Sequence, residues 1–124
     1  HTPETDSLIG AAELAQLPPG AVLVNVGRGP IVQEAALYQA LRDGTLHAAG
    51  LDVWYHYPPD EAARVHTPPS RYPFHTLENV VMSPHRAGAV RDKEERRMAH
   101  LARALNAAAR GEPLPNPVDL DAGY

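Results

Sequence analysis

Ala21-Val22-Leu23-Val24-Asn25-Val26 is a short, nearly continuous apolar run, bounded by Pro18-Pro19-Gly20 before it and Gly27-Arg28-Gly29-Pro30 after it. A run of this length between turn signals reads as a strand, and its unbroken apolar character predicts a strand buried on both faces of a parallel sheet. Downstream, residues 33–43 put Leu37, Ala40 and Leu41 on one helical face, with Gly44 as the stop. Residues 47–53 and 79–83 read as a second and a third strand. A short helix at about 11–17 precedes the first strand, and a last helix spans about 88–110. Met98, Leu101, Ala102, Leu105, Ala108 and Ala109 form that helix's apolar stripe.

Alternation of helix and strand implies an α/β fold with parallel strands and right-handed crossovers. The expectation is a partial doubly wound sheet. Ligands in such sheets bind beyond the carboxyl ends of the strands. Arg28 and His85 both follow strands directly and fall at those ends. A guanidinium grips a carboxylate through two parallel hydrogen bonds, and an imidazole moves a proton near neutral pH. Together they suit a site that binds a carboxylate and moves a proton.

Composition bounds the partners. The chain has 124 residues, 44% of them hydrophobic, enough for a core, but only one Phe and one Trp, so aliphatic residues and alanine must fill it. A net charge of −4 argues against nucleic acid or an anionic membrane as partner. No apolar run approaches the ~20 residues of a membrane span, and no basic-then-apolar leader opens the chain. The absence of cysteine removes disulfide and thiolate chemistry and makes the cytoplasm the default location. No His-x-x-x-His or comparable ligand spacing occurs, so no metal site is expected. Residues 54–77 mix Trp54, Tyr55, Tyr57, Tyr72 and Phe74 with prolines, and read either as a lid or as a rigid surface excursion.

Several motifs agree in order and spacing with one known family. The run from Gly20 to Pro30, then Gly50-Leu51-Asp52-Val53, then Ser83-Pro84-His85-Arg86-Ala87-Gly88, resembles the D-isomer-specific 2-hydroxyacid dehydrogenases. The opening His1-Thr2-Pro3-Glu4-Thr5 is similar to that family's Leu-Thr-Pro-Glu-Thr. The resemblance covers nearly the whole chain. It implies an oxidoreductase that passes hydride between the nicotinamide of NAD or NADP and C2 of a small 2-hydroxy or 2-oxo acid. It also implies that residues 1–111 are the second half of a Rossmann-like cofactor domain, with 112–124 returning toward a substrate domain. The Gly-x-Gly-x-x-Gly turn is absent, since position 32 is Val. Half a sheet would leave an apolar edge and face in need of a partner, either the amino-terminal part of the enzyme or a second copy, and the family tendency is a homodimer.

By resemblance, Arg28 holds the substrate carboxylate and polarises its carbonyl; the alternative is a surface arginine capping a turn. His85 donates the proton to the carbonyl oxygen, and the remaining histidines are structural. Asp52 receives the nicotinamide carboxamide; the alternative is a strand-end carboxylate capping the loop that follows. Thr5 and the backbone of Val26, Gly27 and Arg28 match cofactor contacts, although Thr5 also fits a turn or N-cap hydroxyl. Gly88 matches a close backbone approach at the nicotinamide. One departure stands out. The family usually has a glutamate five residues after the aspartate, where this chain has Tyr57. That glutamate pairs with the histidine and keeps it protonated. Three readings follow: an active enzyme with a lowered histidine pKa, replacement by Asp60 or Glu61, or loss of the reaction. The competing function is a non-catalytic remnant or a dinucleotide-sensing interaction module.

Overall fold

In the computed structural model, which describes residues 1–123, the chain divides into two compact units, His1–Ala87 and Gly88–Tyr124. The first unit runs α1 (Ala11–Leu14), β1 (Val22–Asn25), α2 (Glu34–Asp43), β2 (Ala48–Leu51) and β3 (Val80–Met82), with short 3-10 turns between them. The second contains α3 (Lys93–Ala109). Every expected element is present.

The three strands are parallel, in the order β1-β2-β3. Val24, Gly50 and Val81 share one register row, and Leu23, Ala49 and Val80 the row beside it. The pleat sends alternate rows to opposite faces. Leu23, Ala49, Leu51 and Val80 pack with Leu14, Leu37, Leu41, Leu46 and Phe74 in one core. Helix α2 forms the lid of this core because Leu37, Ala40 and Leu41 recur at helical spacing, and Gly44 ends it in the left-handed conformation (φ 81°). Asn79 ties the turn before β3 to this layer, its Nδ2 donating to the carbonyls of Leu41 and His47 at 3.1 and 3.0 Å.

The expectation of a strand buried on both faces is corrected. Val22 is 57% exposed, Val24 68% and Val81 73%. Within the first unit the helices pack on one face of the sheet, and these valines lie on the other.

The segment 54–77 is pinned where it meets the core. Trp54 and Phe74 pack edge to face, and Tyr38 on α2 stacks on Tyr72. Glu34 accepts the Ser70 hydroxyl at 2.7 Å and the Arg71 amide at 2.9 Å, and the Tyr55 hydroxyl donates to the Val32 carbonyl at 2.8 Å. These contacts give the rigid-excursion reading its physical basis at both ends of the segment.

In the second unit the helix begins at Lys93, later than expected, because Asp92 sits in the left-handed region (φ 52°) and breaks any helix started at Gly88. Met98, Leu101 and Leu105 of the apolar stripe are exposed, whereas Ala107 is buried. Of the tail 112–124, Tyr124 lies outside the described residues. No helix among the described residues is long and apolar enough to cross a membrane.

Candidate active site at the strand carboxyl ends

Three loops leave the carboxyl ends of the parallel strands: 26–30 after β1, 52–58 after β2 and 83–87 after β3. They carry Arg28, Asp52 and His85 respectively.

The first loop is shaped by Asn25, the last residue of β1 and buried. Its Oδ1 accepts the Gly27 amide at 3.1 Å and its Nδ2 donates to the Arg28 carbonyl at 3.0 Å. A short amide side chain that bonds its own following backbone is a standard way to turn a strand end. Gly29, also buried, lies against Trp54, and a Cβ there would collide with the Trp54 carbonyl. The Arg28 side chain is exposed, and its Nη1 donates to the Gly27 carbonyl at 2.8 Å. It therefore rests in the turn-capping arrangement and keeps its other N–H groups outward.

Asp52 is 5% exposed, directly beyond β2, and its amide donates to the Asn25 carbonyl at 3.0 Å. Its Oδ1 accepts the Arg86 amide at 2.7 Å and its Oδ2 the Ala87 amide at 2.8 Å. The carboxylate thus clamps the backbone just after His85. The Ser83 hydroxyl, then the Ala87 and Arg86 amides and the nearby His85, hold the Asp52 carboxyl below its usual range, against the opposing effect of burial. The loop-capping alternative describes Asp52 with one change: the loop it caps is the one after β3.

His85 is exposed and has φ 56°, a left-handed backbone that the two clamped amides help to hold. Its imidazole packs against the Tyr57 ring, centroids 5.6 Å apart and planes tilted by 48°. The Tyr57 hydroxyl accepts the Trp54 amide at 3.0 Å. Tyr57 thus meets His85 with its ring. Asp60 accepts the Ala63 amide at 2.9 Å within its own loop, and Glu61 stands 3.5 Å from Arg64 in a long, solvated pair.

Trp54 joins all three loops. Its carbonyl meets Gly29, its amide bonds Tyr57, and its indole N–H donates to the Ser83 carbonyl at 2.9 Å. Trp54, Asn25, Ser83 and Arg86 carry no role in the sequence reading. For Asn25 the signal was a polar residue inside an apolar run; for Trp54 it was the chain's one tryptophan immediately after Asp52-Val53.

Two concavities lie at the strand carboxyl ends, and His85 lines the larger. A cleft of about 830 Å³ lies between the 54–69 segment and residues 82–86, with His56, Tyr57, Arg64 and His85 among its walls. A shallower groove of about 270 Å³ runs over the open sheet face, from Val24, Gly50 and Val81 to Asp52 and Arg86.

Of the other expected residues, Val26 and Gly27 lie in the first loop. Thr5 closes a local turn, its hydroxyl accepting the Thr2 amide at 2.8 Å, and the strand-like segment that follows joins the first loop through Ser7 N–H to the Pro30 carbonyl at 2.8 Å. Gly88 is the first residue of the second unit. His56, expected to be structural only, lines the larger cleft.

The family described as "D-isomer specific 2-hydroxyacid dehydrogenase, NAD binding domain" matches residues 1–87. D-3-phosphoglycerate dehydrogenase of Mycobacterium leprae is 35% identical over 98% of the chain, which spans 21% of that protein. Glyoxylate reductase of Korarchaeum cryptofilum is 39% identical over 95% of the chain, spanning 33% of its length. Among solved structures, a D-isomer specific 2-hydroxyacid dehydrogenase from Xanthobacter autotrophicus, in complex with NADPH and MES, superposes with a TM-score of 0.76 at 36% identity, covering all of this chain and 47% of that one. The chain spans a third or less of both curated relatives.

Proposed function

The chain belongs to the D-isomer specific 2-hydroxyacid dehydrogenase family, and from that premise we propose that it forms part of an NAD(P)-dependent oxidoreductase acting at C2 of a small 2-hydroxy or 2-oxo acid. The observation that carries the reading is the arrangement of Arg28, Asp52 and His85 beyond three adjacent parallel strand ends, with the His85 loop clamped by Asp52.

The residues present fit the nicotinamide end of the cofactor. The groove over the open sheet face offers an apolar floor of Val24, Gly50 and Val81 for a flat ring, and it ends at the Asp52 carboxylate, an acceptor for a carboxamide. The two clamped amides and the Ser83 hydroxyl take three of the roughly four acceptor positions of the Asp52 carboxylate, which leaves one for a carboxamide N–H. Val26 lines the same groove, and Thr5, Gly27 and Gly88 remain candidates for cofactor contact by their match to the family motifs. The chain has no Gly-x-Gly-x-x-Gly turn and supplies no pyrophosphate cradle of that type. When bound, the nicotinamide supplies or accepts the hydride.

The protein's share is binding and proton transfer. Arg28 exchanges its Gly27 contact for a two-point grip on the substrate carboxylate. His85, as imidazolium, hands its proton to the carbonyl oxygen during reduction, and takes it back from the hydroxyl in oxidation. The Tyr57 ring shields one side of the imidazole. In this reading residues 1–111 belong to the cofactor domain and 112–124 lead toward the substrate domain of a cytoplasmic homodimer.

The test is nicotinamide oxidation by the complete enzyme with glyoxylate, pyruvate or hydroxypyruvate. His85→Ala should lower turnover by about 10² or more. Unchanged turnover removes His85 from the role, and cofactor binding without turnover in the parent protein favours a dinucleotide-sensing module.

A further inference from the structure

The larger cleft beside His85 is more cationic, and larger, than a two- or three-carbon acid requires. At about 830 Å³ it falls within the ~300–1,000 Å³ typical of sites that enclose whole ligands. His56, Arg64, His85 and Arg86 contribute to its wall, and no aspartate or glutamate does. Trp54 and Met82 give it an apolar flank.

The two guanidinium groups are available. The Arg86 backbone amide is spent on Asp52, while its guanidinium has no hydrogen bond or ion pair among the described residues. Arg64 meets Glu61 only at 3.5 Å, with both side chains well exposed. A pair so long and so solvated competes weakly with a ligand anion. Arg28 does not line the cleft. An acid anchored by its C1 carboxylate at Arg28, with C2 at His85, would therefore send its remaining carbons into a different space, walled by arginines.

We infer that this cleft is a subsite for the far end of the substrate, and that it selects 2-oxo or 2-hydroxy acids carrying a second anionic group, carboxylate or phosphate, received by Arg64 and Arg86. The inference rests on the proposed roles of Arg28 and His85. A neutral alkyl chain in the same place would cover two cations without compensating them, which is unfavourable. A second carboxylate or phosphate accepts paired N–H bonds from such groups, while the apolar flank takes the methylenes.

The experiment compares 2-oxoglutarate with 2-oxopentanoate, which have the same carbon count and differ in the terminal carboxylate. In the complete enzyme, kcat/KM should favour the dicarboxylate by roughly tenfold or more, as charge-assisted bonding implies. Arg64→Gln and Arg86→Gln should each pull that ratio toward one, with Arg64→Lys restoring part of it. Running 3-phosphonooxy-2-oxopropanoate in parallel tells which anion is preferred; a preference for either anionic acid over 2-oxopentanoate supports the subsite. Equal kcat/KM for charged and uncharged acids, or a ratio that neither glutamine variant alters, overturns the subsite while leaving the dehydrogenase reading intact. A second readout is independent of turnover. Trp54 is the chain's one tryptophan and lines the cleft, so its emission reports occupancy in the 124-residue chain. A saturable change with 2-oxoglutarate and none with 2-oxopentanoate supports the subsite even where hydride transfer is absent. An equal response to both acids, or a response unchanged in Arg64→Gln and Arg86→Gln, overturns it.

Discussion

The backbone of Gly29 rests against the carbonyl of Trp54 with no room for a Cβ between them. This contact locks the arginine loop to the loop after β2, and Trp54 in turn holds the histidine loop through Ser83. Gly29→Ala should therefore push two loops apart. We expect a loss of about 1–3 kcal/mol in stability, the usual cost of overpacking. Thermal melts followed by Trp54 emission provide the check, and a wild-type melting temperature would refute the contact.

Trp54→Phe keeps an aromatic ring in the core but removes the indole N–H. The Ser83 carbonyl would lose its partner at 2.9 Å. The expected stability loss is about 1 kcal/mol. Turnover of the complete enzyme should fall by more than that loss accounts for, because misplacing a catalytic group by ~1 Å can cost about 10²-fold. A drop in stability with full turnover would mean that the indole bond does not position His85.

Asp52 sets a pH limit. Its carboxyl lies below the ordinary value of 3.8, chiefly through Ser83 and the Ala87 and Arg86 amides. The unfolded chain then binds more protons than the folded chain across this window, so stability rises with pH. The contribution is fully present above the ordinary value and is lost as pH falls through the depressed one. The protection factors of the Arg86 and Ala87 amides, relative to the unfolded chain, should hold to below pH 3.8 and then fall. In Asp52→Asn the acid-dependent loss of protection should vanish, with lower protection of at least one of the two amides at neutral pH. Persistence of the acid limb in that variant would assign it to another group.

Tyr57 brings a ring and no charge to His85. Tyr57→Glu would set a carboxylate there and raise the imidazole pKa, extending the protonated form to higher pH. The alkaline limb of the reduction rate should move upward by about one unit or more. Tyr57→Phe, which keeps the ring, should leave the limb in place. Identical profiles for all three proteins would show that this position does not reach the imidazole.

The open sheet face predicts association. Val24 and Val81 lie in one register row and are largely exposed. Without cofactor this floor is uncovered apolar surface, and contiguous exposed apolar surface marks an interaction site. The 124-residue chain should self-associate in sedimentation velocity, and Val24→Lys with Val81→Lys should reduce that association without loss of helix content. A wild-type chain that stays monomeric at every concentration tested would mean the face is tolerated in water.

Much of this was legible in the residue order. Apolar runs between glycine and proline turns, and the spacing of Leu37, Ala40 and Leu41, are local signals, because strand and helix periodicity act over a few neighbouring residues. The parallel order and the strand-end positions of Arg28, Asp52 and His85 follow from them once the motifs are aligned. Some local readings overreached. The unbroken apolar run of β1 suggested burial on both faces, but the run alone cannot say whether a second layer is packed there. The helix expected from Gly88 starts at Lys93 because one residue, Asp92, takes a left-handed backbone.

What only the tertiary structure decided is which groups meet. Asp52 clamps amides 34 and 35 positions away, and Trp54 reaches Ser83 across 29. Tyr57 spends its hydroxyl on Trp54 and turns its ring to His85, whereas its position in the motif suggested a partner for the imidazole's proton. Arg64 and Arg86 share a cleft that no motif announces. The sequence by itself determined the elements, their order and the chemistry available at their ends. The through-space pairing belongs to the packed structure, because hydrogen-bond and charge partners are chosen by distances of a few ångströms, which the order of residues along the chain does not contain.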